Sequence, residues 1–285
     1  MRKIVDFFIV GAPKAGTTSL YEYLKQHSVI CMSAIKEPDF FTKDELLKNP
    51  LYYGKNPIEN IEDYHDLFDD SNCQIRGEAS VSYLFYPLVA KKIKQYNTNA
   101  KIIIMLRNPV DRAFSHYLMD YKLGLVDQDF ESIFNKSDSL FFQQYFEIGN
   151  YYEQVMRYLS NFDKDRIQII WYEDFVEFGT KELQKTYKFL SVNIKKNTIL
   201  QTKHNAFSLP KNKIIRKVYS MIFLRRLLKN ILPVKFTSIV KKNLFSDSKK
   251  PILCNKLRKK IIKYYINDIE KLEKAMNKNL ILWKK

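Results

Sequence analysis

The chain has 285 residues, a formal net charge of +17, 46% hydrophobic and 14% aromatic residues. Those values exclude a disordered segment, and the length suits one large α/β domain, residues 1–285, with a full core. The three cysteines, Cys31, Cys73 and Cys254, are odd in number and far apart, which argues against a disulfide framework or a zinc site and for a reducing compartment. No signal segment precedes the first strand and no apolar stretch is long enough to span a bilayer, so a cytoplasmic location is expected. The positive charge has two readings: an anionic partner, or a lysine-rich composition of the kind AT-biased coding produces.

The first element is "IVDFFIV" (4–10), a nearly continuous apolar run that reads as a buried parallel strand. It runs into "GAPKAGTTS" and a helical pattern over 17–27. The two glycines, Gly11 and Gly16, are spaced as in a nucleotide-triphosphate loop, G-x-x-x-x-G-K-[ST]. The lysine is displaced: position 17 is threonine, and the loop's lysine is Lys14. The glycines allow a tight turn whose N–H groups approach an anion. The following helix adds unsatisfied N–H groups and the positive end of its dipole. Thr17, Thr18 and Ser19 add hydroxyls, and Lys14 is placed to sit over the bound oxygens.

"KEPDFF" (36–41) follows. Glu37 stands between apolar neighbours and a proline, and a partly buried carboxylate of that kind can serve as a base. Pro38, Phe40 and Phe41 are expected to raise its pKa by desolvation. A turn-rich stretch, "NPLYYGKNP", leads to a short, weaker strand at 74–79, and the second strong strand spans 101–106. That strand opens the second anion site, "MLRNPVDRAFSHY". Arg107 stands at its end, Asn108 can cap the helix over 109–121, and Pro109 suits its first turn. Ser115 lies two helical turns on. Arginine and serine so placed can grip one dianionic phosphate, which implies a ligand with phosphate at two ends. Another strand (167–172) and helix (180–190) complete a strand–helix alternation, the pattern of an α/β three-layer sandwich with a mostly parallel sheet between helices.

Between Glu182 and Asp247 there is no acidic residue. Within that basic region, 211–231 separates basic from bulky apolar residues around a helix. It can pack on its own domain or lie on a membrane surface as a peripheral contact. The last segment, 256–283, reads as an amphipathic structural helix.

Taken together, these motifs resemble the sulfotransferases that use 3′-phosphoadenosine 5′-phosphosulfate (PAPS), nearest to bacterial members of the group containing the glycan and heparan-type enzymes. "FFIVGAPKAGTTSLYEYLKQHS" resembles the 5′-phosphosulfate loop, "KIIIMLRNPVDRAFSHY" the 3′-phosphate motif, and "KEPDFF" the segment that carries the catalytic glutamate. "RGEASVSYLFYP", "YEDF", "KHNAFSLPKN" and Trp283 fall in family order. The resemblance implies that Lys14 stabilises the leaving phosphate. It assigns Ala15, Gly16, Thr17, Thr18 and Ser19 to the 5′-phosphosulfate, Arg107 and Ser115 to the 3′-phosphate, and Glu37 to the acceptor hydroxyl. It implies adenosine 3′,5′-bisphosphate as product and no required metal. Two positions depart from the pattern. Ala79 replaces a lysine common after the motif's glutamate, and "KHN" stands where a basic residue and glycine are usual, leaving Lys203 as the candidate there. His65 and His116 are alternative bases.

The expected function is therefore sulfuryl transfer from PAPS to a hydroxyl, on a saccharide or glycan, by in-line attack, with no nucleic acid as partner. A P-loop kinase-like transferase and a non-catalytic binder of acidic glycan or nucleic acid are the competing classes. The first predicts Mg²⁺ and ATP dependence; the second predicts salt-sensitive binding without turnover.

Overall fold

A computed structural model describes residues 4–48, 56–68, 73–194 and 251–285, with the backbone of 209–210 and 245–246. Its centre is a five-stranded parallel sheet: β1 Phe7–Gly11, β2 Ile30–Met32, β3 Ile75–Ala79, β4 Lys101–Leu106 and β5 Ile167–Trp171. The strand order is β2-β3-β1-β4-β5. β1 is buried along its whole length, and so is β4 beyond Lys101, which is why both read as unbroken apolar runs. The edge strand β5 keeps only Ile170 fully buried. The expected three-layer α/β architecture is the one observed.

The strands anticipated near 4–10, 74–79, 101–106 and 167–172 are present. The first begins only at Phe7, and Tyr172 belongs to the helix after β5. β2 carries no sequence signal, because three residues at an edge are too few for a periodicity. It aligns on β3 through the pairs Ile30–Ile75, Cys31–Arg76 and Met32–Gly77.

Helices flank the sheet: α1 Thr17–Lys25, α2 Lys43–Lys48, α3 Ile61–His65, α4 Val89–Tyr96, α5 Pro109–Leu123, α6 Phe130–Phe134, α7 Leu140–Tyr145, α8 Tyr151–Asn161, α9 Tyr172–Glu177, α10 Gly179–Leu190 and α11 Asn255–Met276. α5 starts as its sequence dictates. The Asn108 side chain accepts from Val110 and Asp111 N–H at 3.0 and 3.3 Å, with Pro109 in the first turn. α11 buries Leu257, Ile261, Tyr265, Ile269 and Leu272, a stripe at helical spacing that packs on α8 and α5. It ends at Asn277 in the left-handed conformation.

A two-residue antiparallel pair joins Leu209–Pro210 to Phe245–Ser246. The basic helix expected over 211–231, and with it any membrane contact, lies outside the described residues, as does Lys203. Among the described residues no helix is long and apolar enough to cross a membrane.

The topology fixes where a ligand can sit. From β1 the chain crosses to β2 and β3 on one side, then passes to β4 on the other. Parallel sheets bind ligands at the carboxyl ends of their strands where the direction of winding changes. Here that crevice lies between β1 and β4, where Ala12 N–H donates to Met105 O at 2.6 Å.

Candidate active site

The loop after β1 occupies this crevice. Gly16 has φ 93°, and a Cβ there would stand 3.2 Å from the Tyr172 ring and 3.3 Å from Met105 Cε. Only glycine combines that backbone with that closeness. The first α1 bond runs from Leu20 N–H to Gly16 O, so the N–H groups of Thr17, Thr18 and Ser19 lack partners within the helix. Ala15 and Thr17 are buried, while Thr18 and Ser19 are half-buried. The helix therefore presents a positive end lined by three hydroxyl side chains, a suitable cradle for an anion.

Lys14 is half-buried, with its ammonium 3.3 Å from Met119 Sδ on α5. Burial pushes its pKa down to about 8. Asp120 opposes that shift, Arg107 adds to it, Glu37 opposes it and Lys36 adds to it. Four charged residues from three separate parts of the chain thus share one electrostatic neighbourhood around Lys14.

Arg107, directly after β4, donates from Nη1 to Lys14 O at 2.9 Å. Its guanidinium lies 4.4 Å over the centre of the Tyr172 ring. The Tyr151 hydroxyl donates to Arg107 O at 3.0 Å. Backbone and side chain of this arginine are both held, and the hydrogen bond to Lys14 uses one of its five donors. Ser115 is half-buried on α5 and four residues before Met119, so it shares the helix stripe that touches Lys14. The loop, Arg107 and Ser115 are brought to one edge of the sheet.

Glu37 reaches the same edge from β2. Its N–H donates to Ala79 O at 2.9 Å, laying the segment on the end of β3. Its carboxylate is half-buried and paired with the Lys36 ammonium. This corrects the apolar setting inferred from Pro38, Phe40 and Phe41: the immediate neighbour is a cation, and the aromatic rings pack elsewhere. Phe40 stacks on Tyr64 at 4.5 Å between centroids, and Phe41 meets Phe8 at 5.8 Å.

The alternative bases occupy packing networks. His65 Nε2 is 3.0 Å from the Tyr96 hydroxyl. His116 is buried between Arg112, Gln144 and Asp120, with Nε2 3.7 Å from Asp120 Oδ2. Sequence reading passed over Lys36, Tyr172, Asp120 and Tyr151 as parts of this site. Tyr172, Asp120 and Tyr151 act on Lys14 or Arg107 across the fold and leave no local pattern, whereas Lys36 stands beside Glu37 in the chain, and that adjacency was the available signal. Among the described residues no group of three His, Cys, Asp or Glu side chains is placed to hold a metal ion.

The sulfotransferase-domain family model matches residues 5–272. Human carbohydrate sulfotransferase 15 is 28% identical over 265 residues, covering 72% of this chain and 47% of that protein. The luciferin sulfotransferase of Photinus pyralis is 29% identical over 222 residues, covering 73% of this chain and 57% of that protein. The chain thus spans about half the length of these curated relatives. Among solved structures, a sulfotransferase from Alicyclobacillus acidocaldarius aligns over 99% of both chains with a TM-score of 0.72 and 27% identity.

Proposed function

The chain belongs to the sulfotransferase family, and from that premise we propose that it transfers a sulfuryl group from PAPS to a hydroxyl of a saccharide. One observation carries the chemistry. Lys14 follows β1 and Glu37 follows β2, yet the Glu37 carboxylate stands near enough to favour the Lys14 ammonium against the burial that disfavours it. A cation for the leaving group and a base for the nucleophile need that proximity.

In the proposed reaction the acceptor oxygen attacks sulfur in line with the bridging S–O bond, which breaks as the new one forms. Glu37 takes the hydroxyl proton. Lys14 meets the negative charge that develops on the bridging oxygen, in the manner of an oxyanion site. The backbone of Ala15 and Gly16, the α1 N-terminus, and the hydroxyls of Thr17, Thr18 and Ser19 hold the 5′ end. Arg107, braced by Tyr172, and Ser115 hold the 3′-phosphate, with Lys203 as a further contact. The displaced lysine of the loop fits this chemistry: a sulfuryl group carries one negative charge fewer than a phosphoryl group and demands less neutralisation. A carbohydrate acceptor is favoured by the similarity to carbohydrate sulfotransferase 15.

Calorimetry with adenosine 3′,5′-bisphosphate, AMP and ATP tests the donor. The bisphosphate is expected to bind far more tightly than the other two, and Arg107→Ala to abolish the preference. Equal affinity for AMP would remove the 3′-phosphate assignment. Turnover of PAPS with a panel of glycosides is expected to persist in EDTA and to fall roughly 10²–10⁴-fold in Glu37→Gln, with nucleotide affinity unchanged.

A further inference from the structure

The segment that carries Glu37 is locally unfavourable. Glu37 has φ 63° and Asp39 has φ 54°, both left-handed. Such a conformation costs an L-residue roughly 1–2 kcal/mol, and glutamate lacks the short side chain that eases it for aspartate. A turn of this kind persists only where its surroundings hold it.

The holding groups follow β3. Asp39 N–H donates to Ser80 Oγ at 3.1 Å. Ser82 Oγ donates to Asp39 Oδ1 at 2.6 Å and lies 2.9 Å from Thr42 Oγ1. Ser80 in turn donates to Glu78 Oε1 at 2.5 Å, and the Tyr64 hydroxyl binds the other oxygen of that carboxylate. Since the Ser80 proton points to Glu78, an oxygen lone pair is left for the Asp39 N–H. Asp39, Thr42, Glu78, Ser80 and Ser82 are all fully buried, so water does not compete for these bonds. Glu37 stands between two fastened points: its own N–H on Ala79 O, and Asp39 two residues later.

We infer that Ser80 and Ser82 are positioning residues for Glu37: they clip its strained turn to the end of β3 and so set where its carboxylate stands relative to Lys14. Two carboxylates buried far from solvent thereby acquire a purpose. Asp39 and Glu78 anchor the hydroxyls that hold the turn. The inference rests on the reading of Glu37 as the base.

The test is Ser80→Ala and Ser82→Ala, each alone and combined with Glu37→Gln. Turnover is read as adenosine 3′,5′-bisphosphate released from PAPS with a fixed mixture of nitrophenyl glycosides. Each single variant is expected to lower kcat roughly 10- to 10²-fold, the scale of a small misplacement of a reacting group, with affinity for adenosine 3′,5′-bisphosphate unchanged. In the Glu37→Gln background the same serine changes are expected to add nothing, because the positioned group is gone. Hydrogen exchange should rise in the peptide 34–42 and stay unchanged in 7–25. An unchanged kcat in both serine variants overturns the inference. An equal loss with and without Glu37 also overturns it, and so does failure of both variants to fold, since each assigns the serines to general stability. If only one variant folds, that one decides. A Glu37→Gln enzyme with wild-type turnover removes the base itself, an outcome distinct from any serine result.

Discussion

Lys14 stands between opposing influences. Burial and Arg107 favour its neutral form, while Asp120 and Glu37 favour the ammonium. With a pKa near 8, the free protein loses the Lys14 charge, which we propose acts at the leaving oxygen, as pH rises through that value. We therefore expect kcat/KM to fall on the alkaline side with a midpoint near pH 8. The limb in kcat should lie higher, because the bound donor's negative charge favours the ammonium. Asp120→Asn removes the largest charge opposing the shift. It should move the alkaline limb to lower pH, and a pH–rate profile that stays in place would dissociate Asp120 from Lys14. Gly16 gives a second test at this scale. Gly16→Ala places a methyl group against Tyr172 and Met105 at a backbone angle of 93° that alanine disfavours. Calorimetry should show weakened binding of adenosine 3′,5′-bisphosphate, since the Tyr172 ring that supports Arg107 must shift.

The elements that carry the site are short, and polar bonds do much of the holding. β2 has three residues and α3 five, so neither is stable by itself. Glu78, at the junction of β3 with the clip, has its pKa pushed up to about 7 by burial, with the Ser80 and Tyr64 hydroxyls opposing the shift. A carboxyl raised from 4.5 to about 7 binds a proton in the folded state that it gives up in the unfolded state. The resulting stabilisation is full below about pH 4.5 and is lost as pH rises through 7. Its size is on the order of 3 kcal/mol. Glu78→Gln removes the titration, so its melting temperature should fall less than that of the wild type between pH 5 and pH 8. Parallel melting curves across that range would show that Glu78 does not titrate there.

On the scale of the whole molecule, the end of the chain reaches the site through aromatic packing. Trp283 is buried against Trp171, at the end of β5, and against Tyr151, with centroids 5.5 and 6.0 Å away. Tyr151 in turn binds Arg107 O. Arg258 on α11 adds an ion pair to Asp111 on α5 at 2.7 Å. Trp283→Ala should cost about 3–5 kcal/mol of stability, the range for emptying a large aromatic site. Denaturant unfolding measures it. A loss below about 1 kcal/mol would mean that the C-terminal segment is only loosely attached. Weakened affinity for adenosine 3′,5′-bisphosphate should accompany the loss, because the Tyr151 support of Arg107 loosens.

Much was legible in the sequence. Unbroken apolar runs marked β1 and β4, because both strands are buried on both faces. Asn108 and Pro109 marked the start of α5, because capping is local. The Gly11–Gly16 spacing marked the tight turn between β1 and α1, because backbone conformation near glycine is local too. The parallel sheet followed from the alternation of strands and helices. What only the tertiary structure decided is what depends on contacts across the chain. β2 exists because β3 offers it a partner, not because "ICM" favours a strand. Glu37 is laid on the end of β3 by its N–H bond to Ala79 O, and its aromatic neighbours in sequence, which implied a dry pocket, are drawn away to Tyr64 and Phe8. The roles of Ser80, Ser82 and Asp120 were hidden, since a serine or aspartate reads alike in a clip, a cap or a loop. Their meaning comes from which atoms the fold places within hydrogen-bond reach, and bonds between residues 40 or 100 positions apart leave no local pattern to read.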